Sequence, residues 1–397
     1  MTKPTLERLE YPIKELPSGD ALSLQAFRIR GEKPGPHIHI QASVHGAEVQ
    51  GNAVIYELLS FFSKTSFRGS LTFIPMANPI GLSHKVGTYT QGRYNPQSGQ
   101  NYNRNYFDIT NQDKEVCEFD LEDFTKRHEP LLEEKNFEDL SLIYKQYIIK
   151  CLDQVKAHFS SYGLNEDLKL NLTLQKIAAT ADIVLDLHTG PVATRYLYAG
   201  EYTKNKVVDF PFPHTLTIPN EFDGAMDEAT FMPWVSLSEY LKKIGLIGSF
   251  PFNFEAYTVE LGSEEVISFK EAKKDVARIL TLLAKRGVIS EKEIEKDLAD
   301  ELLNEDQFVT NLEDYKQYNA TIGGLFEYSL KPGDHFEKGD ILGHFLNFKG
   351  LSSIEKIPDC KTSLVANEKG IVINRNPSSV VSEGTPLYQV FTNFSKR

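Results

Sequence analysis

Cysteine is scarce: Cys117, Cys151 and Cys360 are the three in 397 residues, scattered and without CxxC spacing. That excludes a disulfide framework and a thiolate metal site, and it fits thiols kept in a reducing compartment. Long apolar runs are missing too. No stretch approaches the roughly 20 residues that a membrane-spanning helix needs, and Met1 to Arg8 has neither an apolar core nor a small-residue cleavage site. The expectation is a cytoplasmic protein with no membrane partner. Basic residues are outnumbered, 43 against 55 acidic, for a formal net charge of -12, and they form no dense block. A nucleic-acid partner is therefore excluded, although a local pocket can carry the opposite sign. No long tandem repeat or low-complexity tract is present.

What remains is an ordinary globular composition, 41% hydrophobic and 25% charged, over a length suited to two or three domains. Residues 5–30 predict short strands about a turn at Pro17-Ser18-Gly19-Asp20. The apolar run from Ile38 to Val44 predicts a buried strand, His45 to Glu48 a turn, and Val49 to Phe62 an amphipathic helix. Leu71 to Met76 reads as a second buried strand, and Gly87 to Phe107 as a long loop of a kind that is usually functional or disordered. Residues 113–160 are charged and helical in pattern, predicting a helical insertion on the surface. Asp182 to Asp186 predicts a buried parallel-type strand, and Thr258 to Leu261 a further short strand. Phe269 to Gly287 predicts a helix, and Ser290 to Leu303 a charged helix capped by Ser290. From about residue 305, short strands alternate with glycine turns such as Lys331-Pro332-Gly333-Asp334. The domain reading is a catalytic unit over 1–303 and an all-β module over 304–397.

Three candidate ligands stand at strand ends: His45 and Glu48 after one strand, His188 after another. Two histidines and a carboxylate with an open fourth position form a known catalytic zinc set. His-x-x-Glu is common by chance, and an isolated His188 is also readable as a satisfied core histidine. Both places, however, have a strand emptying into a polar turn. Asp186, two residues before His188, is placed to accept from a ligand imidazole. Glu260 lies inside the apolar stretch Tyr257 to Leu261, where a carboxylate is costly unless it is paired or has a task such as general base. An edge-strand Glu facing solvent is the alternative. Arg93, Asn103 and Arg104 stand in or at the end of the Gly/Asn-rich loop. A guanidinium can grip a carboxylate in two parallel hydrogen bonds or stabilise an oxyanion; a solvated loop arginine is the other reading.

His45-Gly46-Ala47-Glu48, Asn78-Pro79-x-Gly81, Arg93, Asn103-Arg104, Asp186-x-His188 and the late Glu260 resemble, in order and spacing, the zinc carboxypeptidase superfamily. Within it the chain is similar to the succinylglutamate desuccinylase/aspartoacylase branch. The resemblance implies an α/β fold: a zinc-carboxypeptidase-like mixed sheet flanked by helices, followed by a small C-terminal all-β, barrel-sandwich-like domain. It implies one Zn2+ per chain held by His45, Glu48 and His188, with Glu260 taking a proton from the attacking water and passing it to the leaving amine. Arg93 would support the oxyanion, and Asn103 with Arg104 would bind a substrate carboxylate. The implied activity is hydrolysis of the amide bond of a small N-acyl amino acid or related metabolite; a metallocarboxypeptidase acting on peptides is the alternative.

Two positions depart from the pattern. Asn101 stands where the family often has an acidic residue shortly before Asn-Arg, and Ser249 to Tyr257 lacks the arginine that aspartoacylase-like enzymes carry for a second substrate carboxylate. A monocarboxylic substrate is the more secure expectation. The module's turns also resemble the biotinyl/lipoyl-like fold, but Lys361 and Lys369 lack the neighbouring Met typical of a carrier lysine. The module is instead expected to pack over or beside the cleft and restrict it to small substrates. Tyrosines after His188 and Arg195 are further candidate lining residues, and a homo-oligomer is left open.

Overall fold

The computed structural model describes residues 5–296, 300, 302 and 305–397. Strands β1 (Leu6–Glu15) and β2 (Ala21–Arg30) form a hairpin about Pro17 to Asp20. β3 (Lys33–Ala42), helix α1 (Gln50–Phe62) and β4 (Arg68–Ile74) follow, then α2 (Pro79–Ser83) and the small hairpin β5 (Lys85–Val86) and β6 (Tyr89–Thr90). Next come α3 (Leu121–Arg127), α4 (Glu129–Glu133), α5 (Phe137–Ser160) and α6 (Glu166–Ala178). β7 (Ile183–Gly190), β8 (Val192–Ala193), β9 (Arg195–Gly200), β10 (His214–Ile218), α7 (Met226–Lys243), β11 (Glu255–Ser263) and α8 (Phe269–Lys285) complete the first part. The expected helix over 290–303 lies partly outside the described residues; Glu291–Glu293 is a single 3-10 turn capped by Ser290. The remaining strands are β12 (Phe308–Asn311), β13 (Tyr315–Asn319), β14 (Gly324–Tyr328), β15 (His335–Phe336) and β16 (Ile341–Leu346). β17 (Lys361–Val365), β18 (Gly370–Arg375), β19 (Val380–Val381), β20 (Pro386–Phe391) and β21 (Ser395–Lys396) end the chain's described order.

A ten-stranded mixed sheet runs in the order β1-β2-β4-β3-β7-β11-β9-β10-β12-β21. β3, β7 and β11 are parallel neighbours at its centre. Because successive side chains in a strand point to opposite faces, each central strand serves two different environments. Ile38, Ile40 and Ala42, Ile183, Leu185 and Leu187, and Tyr257, Val259 and Leu261 share one core with residues of α1 and α8. The alternate positions His39, Gln41, Asp186, His188, Thr258 and Glu260 are equally buried but polar. The run read as continuously apolar is in fact alternating.

The helices of 113–160 are not a surface appendage. α5 buries Leu140, Tyr144, Ile148, Cys151, Leu152 and Val155 in a core shared with α6 and α7. Most of its charged residues occupy the other face of this 24-residue amphipathic helix and hide the pattern, while Lys145 is buried and paired with Asp182. Asn136 caps its start, its side chain accepting from the Asp139 N–H. No helix among the described residues is long and apolar enough to cross a membrane.

Strands β13 to β20 fold into two further sheets, β13-β20-β18-β15 and β17-β16-β14-β19, around a small core of Phe326, Phe336, Leu342, Phe345, Val372, Leu387 and Val390. This region is stitched to the large sheet. β12 pairs in parallel with β10, β21 pairs with β12, and β18 pairs with β8. Ile371, Ile373 and Phe391 belong to the same core as Tyr196 and Leu216. Burying three such side chains contributes about 5–9 kcal/mol, comparable to the about 5–15 kcal/mol that separates a folded domain from its unfolded chain. A chain ended near residue 303 should therefore be insoluble or loosely packed. Near-ultraviolet circular dichroism and melting would check this, and a cooperative melt from such a chain would contradict it.

Candidate metal centre and substrate cleft

β3 ends at Ala42, and the chain turns at once. Ser43 has a φ of 60°, in the left-handed region that non-glycine residues rarely adopt. Its Oγ lies 2.8 Å from Asn52 Oδ1 and 3.1 Å from the Glu48 carbonyl oxygen, which holds the turn closed. Gly46 N donates to the Gly92 oxygen at 2.9 Å, and a Cβ on Gly46 would lie 2.2 Å from the Gly81 oxygen. Three backbone segments thus meet with no room for a side chain. Asn78 clamps them: its Nδ2 donates to the Val44 oxygen at 2.9 Å and its Oδ1 accepts from Gly81 N at 2.9 Å. Arg93, directly after Gly92, is placed beside Glu48 by this packing.

Strand register supplies the other half. Across the parallel ladders Gln41 stands opposite Asp186, Asp186 opposite Thr258, and His188 opposite Glu260. In the next pairing Glu260 faces Tyr196 and Thr258 faces Tyr198. Two polar rows therefore cross the sheet, about 4.8 Å between strands. Glu260 is on a central strand, not an edge.

His45, Glu48 and His188 are brought together, with one ligand atom from each lying within 4.8 Å of the others. Their hydrogen bonds fix the imidazole tautomers. Asn101 Oδ1 accepts from Asn103 N at 2.9 Å, so it is an oxygen, and His45 Nε2 at 2.8 Å must donate to it. His188 Nε2 donates to Asp186 Oδ2 at 2.8 Å. Behind it Gln41 Nε2 donates to Asp186 Oδ1 at 3.1 Å, and Gln41 Oε1 accepts from His39 Nε2 at 2.9 Å. With both outer nitrogens donating, the neutral rings turn lone pairs at Nδ1 toward Glu48, 2.9 Å from Oε1 for His45 and 2.8 Å from Oε2 for His188. Acceptors facing acceptors call for a proton or a cation between them. Two lone pairs and a carboxylate, each ring steadied from outside, fit a divalent metal.

Burial would raise the proton affinity of Glu48, but His45 and His188 overcome it and hold this carboxyl well below the usual range. Burial would likewise lower His188, yet Asp186 and Glu48 raise it well above the ordinary value. Glu260 is pushed up to about 7 by burial and by Glu48, with His188 and Arg93 opposing. Its Oε2 has no hydrogen-bond partner among the described residues. A carboxyl balanced near neutrality beside a metal set is suited to moving a proton.

Arg93 Nη2 donates to Glu48 Oε1 at 2.6 Å. Asn103 Oδ1 accepts from Met226 N at 3.3 Å, so its Nδ2 carries hydrogens. That Nδ2 lies 3.4 Å from His188 Nε2, a donor facing a donor, which leaves the amide hydrogens available to a ligand. Arg104 Nη1 donates to the Asn103 oxygen at 2.8 Å. All seven candidate residues line one cleft of about 880 Å³. Tyr94, Tyr196 and Tyr198 line it as well, but Arg195 turns away to grip Asp275 at 2.7 and 3.1 Å. Sequence reasoning missed Gln41 and His39, whose signal was the polar alternation from His37 to Ser43. It also missed Tyr315 and Arg375, which reach the cleft from the β-rich region and carry no local motif.

Replacing Asp186 by Asn removes the charge that orients His188, and the change should weaken the binding of a divalent metal at this set about 10–100-fold. Competition with a chromogenic chelator measures this; an unchanged affinity would remove Asp186 from that role.

The model of the succinylglutamate desuccinylase/aspartoacylase catalytic domain matches residues 34–138, which include His45, Glu48, Arg93, Asn103 and Arg104. A sequence search of curated proteins found no match. Among solved structures, a protein assigned to the same family from Shewanella frigidimarina is 35% identical, with a TM-score of 0.87 over 100% of this chain and 99% of its own. A family protein from Shewanella amazonensis is also 35% identical, with a TM-score of 0.86 over 98% of this chain and 100% of its own. A succinylglutamate desuccinylase/aspartoacylase from Rhodobacter sphaeroides, at 14% identity and a TM-score of 0.63 over 99% of this chain and 96% of its own, shares the fold. On the strength of end-to-end similarity at that identity, the chain belongs to the succinylglutamate desuccinylase/aspartoacylase family, whose names are those of deacylases.

Proposed function

We propose that the protein is a zinc-dependent hydrolase that cleaves the amide bond of a small N-acyl amino acid or related metabolite. The observation that carries this reading is Glu260 itself: a buried carboxylate whose Oε2 has no partner among the described residues, directly across the ladder from His188. His45, Glu48 and His188 would hold the zinc, a donor set that suits this ion. When bound, zinc supplies Lewis-acid polarisation of the amide carbonyl and a water that is nucleophilic at neutral pH.

The remaining work belongs to the chain. Asn103 Nδ2 and the Arg104 guanidinium would hold the amino-acid carboxylate and so fix the amide in the cleft. Glu260 accepts a proton from the water as its oxygen attacks the carbonyl carbon. The same carboxyl then delivers that proton to the amide nitrogen as the C–N bond breaks, releasing a carboxylic acid and an amine. Arg93, anchored on Glu48 Oε1, would offer its other N–H groups to the oxyanion. Tyr315, Arg375 and Tyr388 of the β-rich region line the cleft on one side, and a wall there would favour a small substrate over a peptide.

Glu260→Gln keeps the shape but cannot accept the proton, so kcat/KM should fall by about two orders of magnitude or more while zinc stays bound. Turnover near that of the wild type would rule out the role. Stripping the metal with a chelator should abolish activity and lower the melting temperature, with both restored by added Zn2+. A panel of N-acetyl, N-formyl and N-succinyl amino acids should be turned over faster than blocked dipeptides; the reverse order would favour the carboxypeptidase reading.

A further inference from the structure

A second cavity, of about 430 Å³, lies between the β1–β2 hairpin and helices α5 and α6. It shares no lining residue with the cleft at the metal set, and its volume falls within the about 300–1,000 Å³ of small-molecule sites. Leu152, Leu164, Leu172, Ile177 and the Tyr11 ring give it apolar walls. Arg28, Lys156, Lys169 and Lys176 border it too, against the one carboxylate of Asp153. Lys176 already holds that Asp153, at 2.5 Å. Arg28 has a long approach to Glu7, 3.8 Å, and its Nε donates to Thr72 Oγ1 at 3.4 Å. Lys156 and Lys169 have no ion-pair partner among the described residues. Glu166, one turn before Lys169, is held by Lys14 and by Asn95 Nδ2. A chain with a formal net charge of -12 therefore carries a locally positive, apolar-walled cavity.

Helix α6 joins this cavity to the substrate loop. Lys169, Leu172, Thr173, Lys176 and Ile177 recur at helical spacing on the side that lines the cavity. On its opposite side, Asp167 accepts from Asn95 Nδ2 at 2.6 Å and from Ser98 Oγ at 2.7 Å. Gln175 brackets Phe107, accepting from its N–H at 3.0 Å and donating to its oxygen at 2.7 Å. Those bonds fasten both ends of the segment that carries Asn103 and Arg104. We propose that the cavity is an effector site for a small carboxylate with an apolar body, a medium-length straight-chain acid, and that its occupant steadies the substrate loop through α6. The leucine walls disfavour a compact, fully hydrated anion such as phosphate. The unpaired lysines favour an anion over a neutral or cationic amphiphile. Nothing in this inference depends on the proposed hydrolysis, since binding needs no turnover.

The test is calorimetric titration of the full chain with butanoate, hexanoate, octanoate, octylamine and inorganic phosphate. Affinity should rise about three- to fourfold per added methylene along the acids, as expected for burial of the chain. Octylamine and phosphate should bind at least about tenfold more weakly than octanoate. Equal binding of octanoate and octylamine, or no gain with chain length, would overturn the inference. Two variants locate the site. Lys169→Glu reverses a charge at this cavity and should cost octanoate about tenfold or more, whereas Arg104→Ala, in the other cleft, should leave it unchanged. The opposite pattern places the acid in the cleft at the metal set and overturns the assignment. Melting temperature reports whether Lys169→Glu folds; if it does not, Thr173→Phe, which fills the cavity, should abolish octanoate binding by the same comparison. Hydrogen exchange reads the coupling: octanoate should slow the amides of α6 and of residues 93–107. Octanoate bound with exchange in 93–107 unchanged would overturn the effector role.

Discussion

Glu48 is the point on which the site turns. Its two oxygens take four neighbours: His45 Nδ1 and Arg93 Nη2 at Oε1, His188 Nδ1 and the Thr189 N–H at Oε2. An ionised carboxylate with 1% of its side chain exposed is costly unless its lone pairs meet donors or a cation; Arg93 and the Thr189 N–H donate to it, and the two imidazole lone pairs leave the rest to a proton or a metal. Those four neighbours come from the turn after β3, the long loop and the end of β7, so one buried charge pins three separate segments. The positive φ at Ser43 and the glycine contact at Gly46 are strained or demanding features that make sense only because they aim this carboxylate.

The polar rows of the sheet have the same logic at larger scale. Gln41, Asp186, Thr258, His188 and Glu260 occupy positions where an ordinary parallel sheet would bury aliphatic side chains. The opposite face compensates: Ile38, Ile40, Ala42, Ile183, Leu185, Leu187, Tyr257, Val259 and Leu261 pack into the core with α1 and α8. Rigid neighbouring strands hold His188 and Glu260 at a fixed spacing without needing a loop to order itself. Precision of this kind is hard to obtain from loop residues alone.

How much of this is legible in the sequence follows from what kind of interaction places each residue. His45, Glu48, His188 and Glu260 can be found because strand ends and a carboxylate in an apolar run leave local marks. The central strands and most helix limits follow from periodicity and caps. The burial of α5 is hidden, since a long amphipathic helix looks the same on a surface and over a core until its partners are known. Asn101 reads as a departure from family pattern, yet an amide oxygen makes the same bond to His45 that a carboxylate would, without the charge. Arg195 reads as a lining candidate, and the Asp275 that draws it away is 80 residues distant. Arg375 is invisible because its relation to the cleft depends on pairing with Val192, and no local pattern encodes a long-range register.

That distance in sequence has a consequence for how the chain is made. Glu48 and His188 are 140 residues apart, so at ordinary rates of synthesis the second histidine emerges on the order of ten seconds after the first two ligand candidates. During that interval the nascent chain offers only a weak two-donor fragment to any ion. β18 and β20, which finish the cleft wall, come later still. Capture of a metal at this set would therefore have to wait until β7 is made, and a ribosome that stalls between β11 and β18 would leave the cleft without its last wall.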